Sequence, residues 1–293
     1  MPAQPNDYPQ RIARAVALIE QALASECELP DLAALAAAAH FSPFHFHRIY
    51  RALTGESIGR TTARLRQLRA LHLLQEHDRP ITDVALAVGY DTPQAFARAF
   101  RQSLGATPSE LRAAPQRLAH EIALRAVPPA RTQGAPSPLR VEVISMEPLR
   151  VIALHNTGDY AELDQAYDRL FGWAAERGAV DSIRSLYGIP WHDPRDDAAE
   201  HCEFDCALGF ERLPDAEPDR GFVLRGIDGG RHARAQHVGP FAGLYGTLDR
   251  LLAQWLPTSG LSLRDATIWF HYHDDPAHTP EAELRTDIYL PLL

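Results

Sequence analysis

Three histidines, His40, His45 and His47, crowd into the stretch HFSPFHFHRIYR, and imidazoles at such close spacing raise the chemistry of a metal site. Ser42-Pro43 supplies an N-cap followed by a first-turn proline, so a helix is predicted from Pro43. On that helix His45 and His47 point about 160° apart and cannot share an ion. His201, Cys202 and Cys206 carry the ligand types of zinc, but their segment reads as a strand and no second pair stands at a finger-like spacing. Reduced thiols are the simpler expectation for all three cysteines, Cys27 included, and no metal site or cofactor is expected. Glu203 and His271 have the chemistry of a general base, yet nothing in their spacing builds a nucleophile with a base and an orienting group. No catalytic residues are assigned.

The chemistry that remains is recognition, and it depends on the elements that hold it. On the helix from Pro43, Phe46, Ile49, Tyr50 and Leu53 recur as a buried stripe. Phe44, His47, Arg48 and Arg51 fall together on the opposite, positive side. Fifty residues on, Phe96, Arg98, Phe100, Arg101 and Gly105 repeat Phe46, Arg48, Tyr50, Arg51 and Gly55. Each copy reads as a short alanine-rich helix, a turn (with Gly89 in the second copy) and a second helix with apolar residues inward and arginine outward. That is a helix-turn-helix, whose second helix enters the major groove. Two copies joined by one helix over Thr61–Leu74 suit successive major grooves about 34 Å apart; the competing reading is a helical hairpin repeat with no DNA role.

The chain has 293 residues and a formal net charge of -9, which argues against a general nucleic-acid binder. The charge is uneven: residues 1–114 hold 12 Arg against 11 acids, net +1, and the remainder 17 Arg against 27 acids, net -10. No apolar run reaches the roughly eighteen residues of a membrane span, and the first residues lack a secretory pattern, so a cytoplasmic protein is expected. Residues 8–114 read as an all-α domain, 115–138, with VPPARTQGAPSP, as a linker, and 139–293 as an α+β domain.

The second domain is also duplicated. HNTGDYAELDQAYDRLFGW parallels HVGPFAGLYGTLDRLLAQW, WHDP parallels HDDP, and FDCAL parallels TDIYL, all shifted by 81 to 82 residues. Each half reads strand, helix, strand, strand, and the two combine into one antiparallel sheet backed by two helices with a cleft between the halves. Tyr160, Trp191, Phe241, Trp269, Phe270 and Tyr272 fall near the matched turns and strands, where each is either core or ligand wall. Glu203 and Asp205 are acids at the edge of such a cleft, capable of holding a cationic amphiphile if they point inward.

GYDTPQAFARAFRQSLGATPSELR resembles the signature of AraC/XylS-family transcription regulators, and residues 8–112 resemble that family's DNA-binding domain. The resemblance implies that Phe44, His47 and Arg48 in the first unit and Pro93, Gln94, Ala95 and Arg98 in the second are contact positions, with Arg51 and Arg101 on the same outward faces. Pro93 and Ala95 offer no side-chain hydrogen bond, so base reading by the second helix rests on Gln94 and Arg98, unless Arg98 packs or anchors phosphate. Residues 139–293 are similar to GyrI-like effector-binding domains through VGPFAGLY, WLPTSG, DDP and TDIYLPL. The pair implies double-stranded promoter DNA, a small-molecule effector and RNA polymerase as partners. Cation-sensing relatives place a glutamate two residues before the strand tyrosine, where this chain has Phe270 before Tyr272. A neutral or weakly polar ligand is therefore expected; the alternative function is a GyrI-like hydrolase or ligand-sequestering protein with an attached DNA-binding domain.

Overall fold

Each early helix begins where the chain offers an oxygen to its first turn. Asp31, Ser42, Ser57, Thr92 and Thr107 cap α2 (Leu32–Ala38), α3 (Pro43–Thr54), α4 (Ile58–Leu74), α6 (Pro93–Leu104) and α7 (Pro108–Arg112) by accepting a backbone N–H, each cap contributing about 1 kcal/mol. With α1 (Tyr8–Ala24), α5 (Ile81–Ala87) and α8 (Pro115–Ala126) they complete the helical unit. The computed structural model describes residues 7–128, 139–195, 202–214 and 218–293. Its helical unit and its sheet unit are separate compact bodies.

The duplication is visible in the backbone. α3 and α6 both start on Pro after a hydroxyl cap and both end on a left-handed glycine, Gly55 at φ 80° and Gly105 at φ 65°. The turns that precede them differ. Gly89 takes φ 78° in the second, whereas His40 takes φ 54° in the first, a conformation that costs a side-chain-bearing residue about 1–2 kcal/mol. Arg11 braces that strained turn: its Nε donates to the Ala39 carbonyl at 2.7 Å, its guanidinium to His40, and its charge sits 3.5 Å over the Phe41 ring.

The segment expected as linker corrects in part. Pro115–Ala126 is a helix whose Leu118 and Ile122 pack into the core of the second helix-turn-helix, against residues such as Leu71, Val84 and Phe100. Arg64 donates to the Arg125 carbonyl at 3.1 Å, and Arg125 to Gln67 at 3.0 Å, fastening α8 to α4. Residues 129–138 of the expected linker, and His201 of the zinc reading, lie outside the described residues.

The sheet unit contains β1 (Val141–Met146), β2 (Leu149–Thr157), α9 (Leu163–Glu176), β3 (Ile183–Pro190), β4 (Glu203–Phe210), β5 (Phe222–Ile227), β6 (Gly230–Val238), α10 (Leu244–Arg250), β7 (Trp269–Tyr272) and β8 (Arg285–Pro291). All ladders are antiparallel, in the order β1-β6-β8-β7-β3-β4-β2-β5. The strand-helix-strand-strand core is present in both halves, and each half is preceded by one further strand. These leading strands are exchanged: β1 pairs with β6 of the second half, and β5 with β2 of the first.

That exchange forces the sheet to curl. In a flat sheet of this order β1 and β2 would stand six spacings, about 29 Å, apart, yet only Glu147 and Pro148 join them, a reach of about 11 Å. Asp228 and Gly229 join β5 to β6 in the same way, and the two links cross so closely that a Cβ on Gly229 would stand 2.6 Å from the Pro148 nitrogen. The concave face so formed buries Val151, Ala153, Tyr187, Ile189, Ala207, Trp269 and Tyr289, with Trp269 and Tyr289 stacked at 3.6 Å. The convex face carries α9 against β2 and β4 and α10 against Phe270 through Tyr245. Among the described residues no helix is long and apolar enough to cross a membrane.

Candidate functional site

On α6 the apolar set Phe96, Phe100 and Leu104 is buried, which turns Gln94, Ala95, Arg98 and Arg101 to solvent and leaves Pro93 half-buried. Arg98 and Arg101 line an open hollow of about 460 Å³ with Ala97, Gln102 and Thr107. Arg101 stands 4.0 Å from Glu110; the hydroxyl and amide of Thr107 hold that carboxylate below its ordinary range. The face is basic and accessible.

The matched face of α3 is only partly so. Phe44, His47 and Arg51 are half-buried, and Arg48, expected outward, is 3% exposed. One helical turn separates Arg48 from Phe44, so its guanidinium folds back over that ring at 4.1 Å and donates to the Phe44 carbonyl at 3.2 Å. Side-chain packing at i, i+4 therefore overrides the position the wheel assigns. His45 is buried and His47 half-buried. Behind α3 a buried chain runs from the Tyr50 hydroxyl to Thr61 at 2.6 Å, on to Glu56 at 2.8 Å, and to Arg64, which holds Glu56 at 2.7 Å. Burial pushes the Tyr50 phenol up to about 12.

In the sheet unit the residues expected to share one ligand wall fall on two faces. Tyr160, Phe241, Phe270 and Tyr272 lie on the convex side: Tyr160 meets Phe204 edge-on at 5.0 Å and Tyr245 at 6.5 Å, Phe241 meets Tyr272 at 5.3 Å, and Phe270 meets Tyr245 at 5.9 Å. Phe270 is fully buried, a floor of this cluster, while Phe241 is 40% exposed at its mouth. The two matched turns thus face each other across the halves. Trp191 and Trp269 pack instead in the concave core, because neighbours on a strand, such as Trp269 and Phe270, point to opposite sides.

The acids are corrected for the same reason. Phe204 and Cys206 face the convex side, with the Cys206 thiol against the Leu163 carbonyl and pushed up to about 12 by burial, so Glu203 and Asp205 face the concave side. Asp205 is fully buried and held by His155 at 2.7 Å and Arg225 at 2.9 Å; it is structural, with no oxygen turned to the aromatic cluster. Glu203 is half-buried and 3.7 Å from His192. None of the three cysteines is in a disulfide: Cys202 and Cys206 are buried and Cys27 is exposed.

Several residues beyond those expected complete the convex site. Tyr167 and Tyr245 enter from the two helices, and burial pushes the Tyr167 and Tyr272 phenols up. Arg195 stands 5.2 Å over the Tyr245 ring and is held by Asp193 at 2.6 Å and Asp249 at 2.7 Å. Their signal lay in the repeated motifs themselves, since WHDP contributes Asp193 and the DRL triplet contributes Asp249. In the second half the counterpart of Asp205 is Asp287, also buried, which receives Gln236 at 3.1 Å and His273 at 2.9 Å. His271, directly opposite Asp287 across β7–β8, is pushed down to about 4 by burial and by the nearby His273.

Residues 140–293 match the pattern of the GyrI-like small molecule binding domain, and residues 35–114 that of a helix-turn-helix domain. The chain is 33% identical over 157 residues to the probable transcriptional regulator YgiV of Escherichia coli (strain K12), covering 53% of this chain and 96% of that protein. It is 26% identical over 274 residues to the right origin-binding protein of the same strain, covering 88% and 90%. To the regulatory protein SoxS of Salmonella typhimurium it is 35% identical over 72 residues, covering 25% of this chain and 67% of that one.

Proposed function

The chain belongs to the GyrI-like small molecule binding family and carries an AraC-type helix-turn-helix DNA-binding domain ahead of that domain, and from this premise we propose that it is a sequence-specific regulator of transcription switched by a small molecule. The observation that carries the reading is α6, whose caps fix a helix with Gln94, Arg98 and Arg101 exposed along one basic face. In a major groove Gln94 reads an adenine edge and Arg98 a guanine edge or a phosphate, while α3 offers Phe44, His47 and Arg51 to the adjacent groove. Arg48 supports α3 from beneath. The setting is cytoplasmic promoter DNA, with RNA polymerase as the further partner.

The effector docks at the convex aromatic cluster between the halves, on Tyr160, Phe241 and Tyr272. Phe270 offers no charge there, and Arg195 already places a cation over Tyr245. An incoming cation would lose its water over the apolar Phe270 floor with no carboxylate at that position to replace it, so a neutral or weakly polar molecule is favoured. The role is binding rather than turnover: Asp205, a fully buried acid, is committed to His155 and Arg225. Selection of bound sequences from random DNA with the full chain tests the central claim. One enriched motif is expected; a pool that stays random refutes it.

A further inference from the structure

β7 and β8 bring three ligand-type side chains together away from the aromatic cluster. His271 and His273 share one face of β7 by strand alternation, and the register sets His271 opposite Asp287. Their donor atoms all lie within 4.8 Å of one another. His273 Nε2 is 2.9 Å from Asp287 Oδ2, and the two imidazole centroids are 4.3 Å apart. We propose that His271, His273 and Asp287 form a binding site for a divalent first-row transition ion of the zinc or iron(II) class, with water filling the open positions.

The donor set suits such an ion, since two imidazoles and one carboxylate are hard-to-borderline ligands that leave exchangeable positions. The spacing needs little change: ligand atoms around a tetrahedral ion at about 2.0–2.1 Å stand about 3.3 Å apart, so the His273–Asp287 contact opens by tenths of an ångström and His271 closes by about 1.5 Å at most. Asp287 is already oriented, because Gln236 Nε2 donates to Oδ1 at 3.1 Å and leaves Oδ2 to the ion. An entry path exists: His273 and Asp287 line an open cavity of about 760 Å³. Four arginines line that cavity, Arg140, Arg234, Arg250 and Arg285, and the charge of two of them is met locally. Arg234 stands 3.9 Å from Asp287 Oδ2 but is also held by Glu142, and Arg285 is gripped by Asp274 at 2.7 and 2.9 Å, so both carry their own counter-charge.

The test uses the full chain without an affinity tag, stripped with chelator and titrated with zinc or cobalt(II) by calorimetry, with visible absorption for cobalt. One ion per chain with micromolar or tighter affinity is expected, with the ligand-field bands of a low-symmetry cobalt site. His273→Gln, whose amide can still donate to Asp287, and His271→Ala should each weaken binding by more than about tenfold, with thermal melts of the metal-free chains run alongside to show that each variant is folded. A parent that takes up no ion overturns the proposal. So does a His273→Gln chain that binds as tightly as the parent, which would assign the ion to others of the fourteen histidines.

Discussion

Arg48 and Arg98 occupy matched positions fifty residues apart, and the structure assigns them opposite work, which makes the pair a sharp test. Arg98 is exposed on α6, so Arg98→Ala removes nothing the fold uses; a surface change of this kind stays within about 0.5 kcal/mol of stability. Its loss should appear in DNA affinity, about 1–3 kcal/mol, or about 5- to 150-fold. The salt dependence then separates the two roles left open for it: the slope of log affinity against log salt shrinks by about 1 if Arg98 neutralises a phosphate, and holds if it reads a base. Arg48 is 3% exposed over the Phe44 ring. Arg48→Ala loses a desolvated cation–π contact of about 2 kcal/mol and a hydrogen bond of about 1 kcal/mol. At about 4 °C per kcal/mol for a unit of this size, the helical unit should melt about 10 °C lower, while DNA affinity well below the transition changes by less than about threefold. Thermal denaturation beside gel-shift titration at fixed salt reads both quantities. The reverse pattern, an unstable Arg98→Ala and a stable Arg48→Ala that cannot bind, would refute the assignment of the two arginines.

Gly89→Ala should destabilise the helical unit by about 1 kcal/mol in urea titration, because a left-handed backbone costs alanine about 1–2 kcal/mol against a smaller gain from the stiffer unfolded chain; the nearest contact of the added carbon, 3.6 Å to Arg66, is ordinary, so a stabilised variant would contradict the φ of 78°. His232 is buried, with burial as the main cause and Arg264 as a further cause of a lowered pKa. The unfolded chain therefore takes the proton first as pH falls through about 6.5, and the stability that His232 contributes is full above that pH and lost toward its lower folded value. His232→Gln should flatten the acid limb of the sheet unit's melting temperature between about pH 7 and pH 5, and an unchanged limb would place the titration elsewhere. In calorimetry an uncharged aromatic ligand should bind more tightly than a quaternary cation of similar size; tighter cation binding, abolished by Glu203→Gln, would reverse the account of the effector cluster.

Much of the helical unit was legible because its signals are local. Ser42-Pro43 and Thr92-Pro93 start α3 and α6, Gly55 and Gly105 end them, and the apolar stripe fixes what is inside. Arg48 escaped that logic because the wheel gives direction but not what lies along a side chain's path. Pro115–Ala126 was hidden by composition: the neighbouring proline-rich stretch masked a helix whose evidence is only Pro115 at the start and Leu118 with Ile122 on one side. In the sheet unit, alternation paired Glu203 with Asp205 on one face and set Phe204 with Cys206 on the other, but could not say which face met the helices. The long-range partners of Asp205, His155 and Arg225, come from separate strands and leave no mark in spacing. β5 was missed because FVLRGI sets Arg225 and Gly226 into a short apolar run with no clean alternation.

The exchange of leading strands has a consequence for ancestry and for cutting the molecule. A single repeat, β1 to β4, would present β2 without its β5 neighbour, β3 without β7 and β1 without β6, three bare edges of the kind that recruit another chain. Two such copies would satisfy each other by reciprocal loan of β1, as a symmetric domain-swapped dimer. The present sheet has the topology of that dimer with its protomers joined end to end, and an isolated first half, residues 139–210, should therefore be found as a pair rather than as a folded monomer.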